Sequence, residues 1–103
     1  KGLKMLLKAN TIREDDGYII DSLGWAYYIK KDYEKAEKFL QRAVELLPTD
    51  PIINDHYADN LWMLKKTIQA RYIWNSVLKL NSAEEELKDE VSKKLIFGIT
   101  NKL

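Results

Sequence analysis

Shifting the chain against itself by about 34 residues aligns large residues with large and small with small, the period expected of a stacked helix–turn–helix unit. Ala36 falls on Ala70, Leu46 on Leu80 and Lys31 on Lys65. Gly24 falls on Ala58, Leu40 on Trp74 and Ala43 on Val77. A repeat of this kind cannot bury its apolar face alone, so the chain must stack its hairpins into one continuous core.

The punctuation has the same period. Asp16, Asp32 and Asp50 each precede an apolar-periodic stretch and are expected to cap a helix N-terminus. Pro51 follows Asp50 at the first helical position, where its missing N–H costs nothing. Lys30-Lys31-Asp32 and Lys65-Lys66-Thr67 are turns within hairpins, with Thr67 expected as a cap. Asn81-Ser82 separates the second hairpin from the last helix, and Ser82 followed by Glu85 predicts a capping box. β-Branched residues never alternate over a strand length, so the chain is expected to be all-α. The helices are predicted near 17–30, 33–47, 51–65, 68–80 and 83–100, with an N-terminal segment at 1–12. Short loops make successive helices antiparallel neighbours. One face carries Ile20, Leu23, Gly24 and Tyr27 against Ala36, Leu40 and Ala43. The second copy sets Tyr57, Ala58 and Leu61 against Ala70, Trp74 and Val77.

Residues 17–50 resemble a tetratricopeptide repeat, through Leu23-Gly24, Tyr27, Ala36, Leu40, Ala43 and Pro48. Residues 51–82 resemble a second, weaker copy, with Ser82 in place of the usual proline. Residues 1–16 resemble the second helix of an upstream repeat, with Gly2, Leu6 and Ala9 at matching positions, and 83–103 a terminal or capping helix. The style is similar to bacterial members. The resemblance implies a right-handed α-solenoid of antiparallel helix–turn–helix repeats, forming one domain over 1–103 and cut from a longer array. It also implies a protein–protein interaction scaffold that holds a peptide or helix in a concave groove lined by the first helix of each repeat.

The stripes expected to face that groove are Tyr18, Asp21, Trp25 and Tyr28 on the first helix, and Ile52, Asp55, Asp59, Trp62 and Met63 on the third. The last helix adds Glu86, Asp89, Lys93, Ile96 and Phe97. Aromatic residues are favoured at binding hot spots, and carboxylates on a partly desolvated wall favour a cation. The expected partner is a protein or peptide with basic and apolar residues. A clamp for a C-terminal carboxylate is not expected, because the same face offers Tyr18, Asp21, Ser22, Ile52, Asp55 and His56. The alternative is a structural spacer, or an accessory region of a larger enzyme or secretion-associated protein.

No catalytic, cofactor or metal constellation is evident. The chain has one histidine and no cysteine, so His56 is expected to be an ordinary hydrogen-bonding residue. Seventeen basic and sixteen acidic side chains leave the net charge near zero, which gives no global attraction to nucleic acid. There is no run of about 18 apolar residues to span a membrane. The ends are apolar, at Leu3, Leu6, Leu7 and Ile12 and at Leu95, Ile96, Phe97 and Ile99, so a homo-oligomer formed through exposed ends is expected.

Overall fold

The computed structural model describes residues 16–99. Among them five helices follow one another with no strand: α1 (Gly17–Ile29), α2 (Tyr33–Leu46), α3 (Pro51–Met63), α4 (Thr67–Leu78) and α5 (Glu85–Phe97). Each helix packs on the next, and α1 also touches α3. This is the stacking of a tetratricopeptide-type helical solenoid. The segment expected at 1–12 and residues 100–103 lie outside the described residues.

The period is written into the backbone. α1, α3 and α5 begin at 17, 51 and 85, 34 residues apart, and each is 13 residues long. The starts of α2 and α4, at 33 and 67, differ by the same 34. The hairpin turns repeat bond for bond. After α1, the Asp32 N–H donates to the Tyr27 carbonyl and the Lys31 N–H to that of Tyr28. After α3, the Lys66 N–H donates to Leu61 and the Lys65 N–H to Trp62. Both sets are the paired 6→1 and 5→2 bonds that close a helix through a left-handed residue. That residue is Lys31 at φ 67° in one turn and Lys65 at φ 69° in the other.

Three of the expected caps form. The Asp16 carboxylate accepts from the N–H groups of Tyr18 and Ile19, Asp32 from Lys35, and Asp50 from Ile52 and Ile53. Two do not. Thr67 is the first helical residue of α4, and the capping position falls on Lys66, whose ammonium has no lone pair to offer. Ser82 lies in the preceding turn, α5 starts at Glu85, and its capping position is Glu84, with no side-chain cap bond.

The hairpin cores form as the sequence implies. Leu23, Ala36, Leu40 and Ala43 are fully buried, and Ile20 nearly so. A methyl group at Gly24 would lie 2.8 Å from Leu40 Cγ and 3.1 Å from its backbone nitrogen, so α1 and α2 approach at a distance that only glycine permits. The second hairpin buries Ala58, Leu61, Ala70, Trp74 and Val77, and α5 closes over this cluster with Val91. Each large side chain so buried contributes roughly 1.5–3 kcal/mol. Of the apolar residues expected at the C-terminal end, Leu95 and Ile99 pack against this core, while Ile96 and Phe97 are exposed.

Candidate functional site

α1, α3 and α5 occupy equivalent positions in successive units, and their side chains are tied to one another directly. On the α1–α3 side, the Asp21 carboxylate lies 3.0 Å from His56 Nδ1. The His56 ring stacks on Trp25 at 3.9 Å, and Trp25 stacks on Tyr28 at 4.3 Å. Asp21 is therefore a buried partner of His56, and His56 is the ordinary hydrogen-bonding residue expected of it.

On the α3–α5 side, Lys94 Nζ donates to Asp55 Oδ1 at 2.8 Å and to Asp59 Oδ1 at 2.7 Å. Asp59 Oδ1 also accepts from the indole Nε1 of the fully buried Trp74, at 3.1 Å. Asp55 and Asp59 are one helical turn apart, so both carboxylates reach the same lysine. Burial, reinforced by the Asp55 charge, pushes the Asp59 carboxyl up to about 6, against the pull of Lys94 and Trp74. Burial alone would lower Lys94, but the two carboxylates hold it above its ordinary value. Burial and the Asp59 charge likewise raise the Tyr28 hydroxyl.

Beside this triad opens a cavity of about 520 Å³, bordered by Tyr28, Asp59, Glu90, Lys93, Lys94 and Phe97, with Gly98 and Ile99 at its edge. Of the residues expected in the groove, Tyr28 and Asp59 border this cavity, and Asp55 stands behind Asp59 on the shared lysine. Trp25 sits within the aromatic stack. Trp62 packs elsewhere. It lies 5.6 Å from Trp74 with the Arg71 guanidinium 5.5 Å above its ring. Gly98 rests against it at φ 72°, where any Cβ would collide with the indole. Met63 is half-buried. Tyr18 and Ile52 are exposed and border separate clefts near the loops, Tyr18 with Leu47 and Pro48, Ile52 with Leu87.

Lys94 and Glu90 were not read from the sequence. The period maps Asp59 onto Lys93, which does border the cavity, but its neighbour Lys94 carries the bonds. The available signal was the aspartate pair at 55 and 59, which needed a cation from the next equivalent helix once buried.

Among the described residues no cluster of His, Cys, Asp and Glu could hold a metal ion, and no helix is long and apolar enough to cross a membrane. No curated protein matches the chain. The tetratricopeptide repeat family model matches residues 22–50, inside the first hairpin unit and ending at the residue that caps α3. Repeats of this family are in general non-catalytic scaffolds for protein–protein interaction. With that match joined to a five-helix stack in which the second hairpin and α5 continue the first in register, the chain contains a tetratricopeptide repeat set in a helical-repeat solenoid.

Proposed function

We propose that the concave side of α1, α3 and α5 binds a peptide or helix of a partner protein, which contributes a Lys or Arg and an apolar anchor. The observation that supports this reading is the charge balance at and behind the cavity wall: the buried carboxylates Asp55 and Asp59 share the ammonium of Lys94, and Glu90 and Lys93 on the same wall offset each other. A second cation would offset the burial and the Asp55 repulsion that together raise Asp59. The ring of Phe97, 71% exposed at the rim, and that of Tyr28 offer the apolar contact.

The second reading, a structural spacer, draws on the same bonds. Asp21–His56 and Asp55–Lys94–Asp59 tie successive first helices together and need no ligand to do so. Titration with a labelled short peptide carrying Phe and Lys, and with its Phe and Glu counterpart, separates the two. Groove binding gives a preference of roughly tenfold or more for the lysine peptide, reduced by Tyr28→Ala and by Asp59→Asn. A spacer binds neither peptide, and that outcome would overturn the groove reading.

A further inference from the structure

The two hairpins supply an internal comparison on the opposite side of the solenoid. Residues 34 apart occupy equivalent places on α2 and α4, so each position of one reports what the other needs for folding. On the stripe of α2 that faces away from its packed side stand Glu34 and Lys38. The equivalent residues of α4 are Ile68 and Tyr72, 84% and 74% exposed. They border a cleft of about 330 Å³ together with Tyr57, Leu61, Gln69 and Ile73. The fold does not require these two residues to be apolar, because the same helix position in the first hairpin is charged.

Charge changes in step. Asp32, Glu37 and Glu45 of the first hairpin become Lys66, Arg71 and Lys79 in the second. From Leu64 to Ser82 there are four cations, Lys65, Lys66, Arg71 and Lys79, and no acid. Lys66 is held by Glu37, at 2.7 Å, and Arg71 lies over Trp62. Lys65 and Lys79 are exposed, and Lys79 lies on the same helical stripe as Ile68 and Tyr72.

We infer that the outer face of α4 is a second docking surface, for an acidic amphipathic helix of a partner protein. Its apolar side covers Ile68 and Tyr72, and its carboxylates meet Lys65 and Lys79. Charge selects this occupant over a second copy of the chain, since α4 placed face to face with itself opposes lysine to lysine with no acid on the stripe to compensate. The surface is distinct from the concave cavity and has the opposite charge preference.

The test uses two labelled helical peptides of about 20 residues, each with leucine on one face, one with glutamate and the other with lysine on the opposite face. Fluorescence anisotropy with the full chain should give binding of the glutamate peptide tighter by roughly tenfold or more. The double variant Ile68→Glu, Tyr72→Lys restores the residues of the first hairpin. It should weaken that binding by a similar factor while leaving the melting temperature and any binding in the concave cavity unchanged. Equal binding of the two peptides would overturn the inference, as would undiminished binding by the double variant. Binding to phosphatidylglycerol vesicles that depends on Ile68 and Tyr72, with none to the glutamate peptide, would overturn it too, by making the patch a membrane contact.

Discussion

Lys94 reaches Asp59 across the interface between equivalent helices at 2.7 Å, and the same carboxylate oxygen holds the indole N–H of the buried Trp74. A core tryptophan, a carboxylate at the cavity and the last helix are thus joined in one chain of hydrogen bonds. Changes at the cavity therefore reach the core of the second hairpin, and the first two predictions follow from this coupling.

Replacing Lys94 by Met keeps most of the side chain's length and removes its charge. Asp55 and Asp59 are then left facing each other without a cation, at a cost of about 3–5 kcal/mol by analogy with broken buried pairs. Denaturant unfolding should show this loss. Hydrogen exchange should show α5 opening before α1 and α2, because the lost bonds are those that hold α5 to α3.

Asp59 makes stability depend on pH in an unusual direction. Its carboxyl rises from 3.8 to about 6 on folding, so the native state binds the proton more tightly than the unfolded chain. The favourable contribution is complete below about pH 4 and is lost as pH rises through about 6. Asp59→Asn does not titrate and retains an acceptor for Trp74. The variant should gain on the wild type by on the order of 2 kcal/mol between pH 4 and pH 7, measured by urea unfolding at each pH.

Gly24→Ala should destabilise the first hairpin by about 1–3 kcal/mol, the usual cost of overpacking. The added methyl meets the Leu40 side chain and backbone, so a rotamer change alone does not relieve it. At the equivalent position of the second hairpin Ala58 is native and fully buried, which makes the effect specific to the α1–α2 approach. Thermal melts of the single variant suffice to check it.

Lys31 and Lys65 carry the opposite opportunity. Both hold a left-handed conformation that disfavours a side chain by roughly 1–2 kcal/mol. Lys31→Gly and Lys65→Gly should each stabilise the chain by about 0.5–1 kcal/mol after the added freedom of glycine in the unfolded state is subtracted. The two effects should be nearly equal and additive, because the two turns have the same bonds and lie in different hairpins.

The helices were legible because the period, three aspartate caps and the small residues at Gly24, Ala36 and Ala43 all pointed to one register. Thr67 and Ser82 misled because cap chemistry is common in turns, and the residue type does not say which turn residue begins the helix. The stripes expected to line a groove were legible as helix positions and less so as exposed groups. A stripe says which side chains share a face, but the partner each acquires depends on how the next helix is rotated. Asp21 met His56, and Asp55 and Asp59 met Lys94 rather than Lys93. Trp62 lies against Trp74 and Gly98, a contact that depends on one backbone angle beyond the helix end.

The central claim, a cation-accepting groove between α1, α3 and α5, is tested most directly by nuclear magnetic resonance of the three tryptophan indoles during titration with the Phe and Lys peptide. Binding should shift the Trp25 and Trp74 indole N–H signals, because Trp25 stacks on Tyr28 and Trp74 donates to Asp59. Backbone amide changes should centre on the three equivalent helices and extend in α4 only to the neighbourhood of Trp74. Shifts confined to α2 and α4, or none at saturating peptide, would contradict the account.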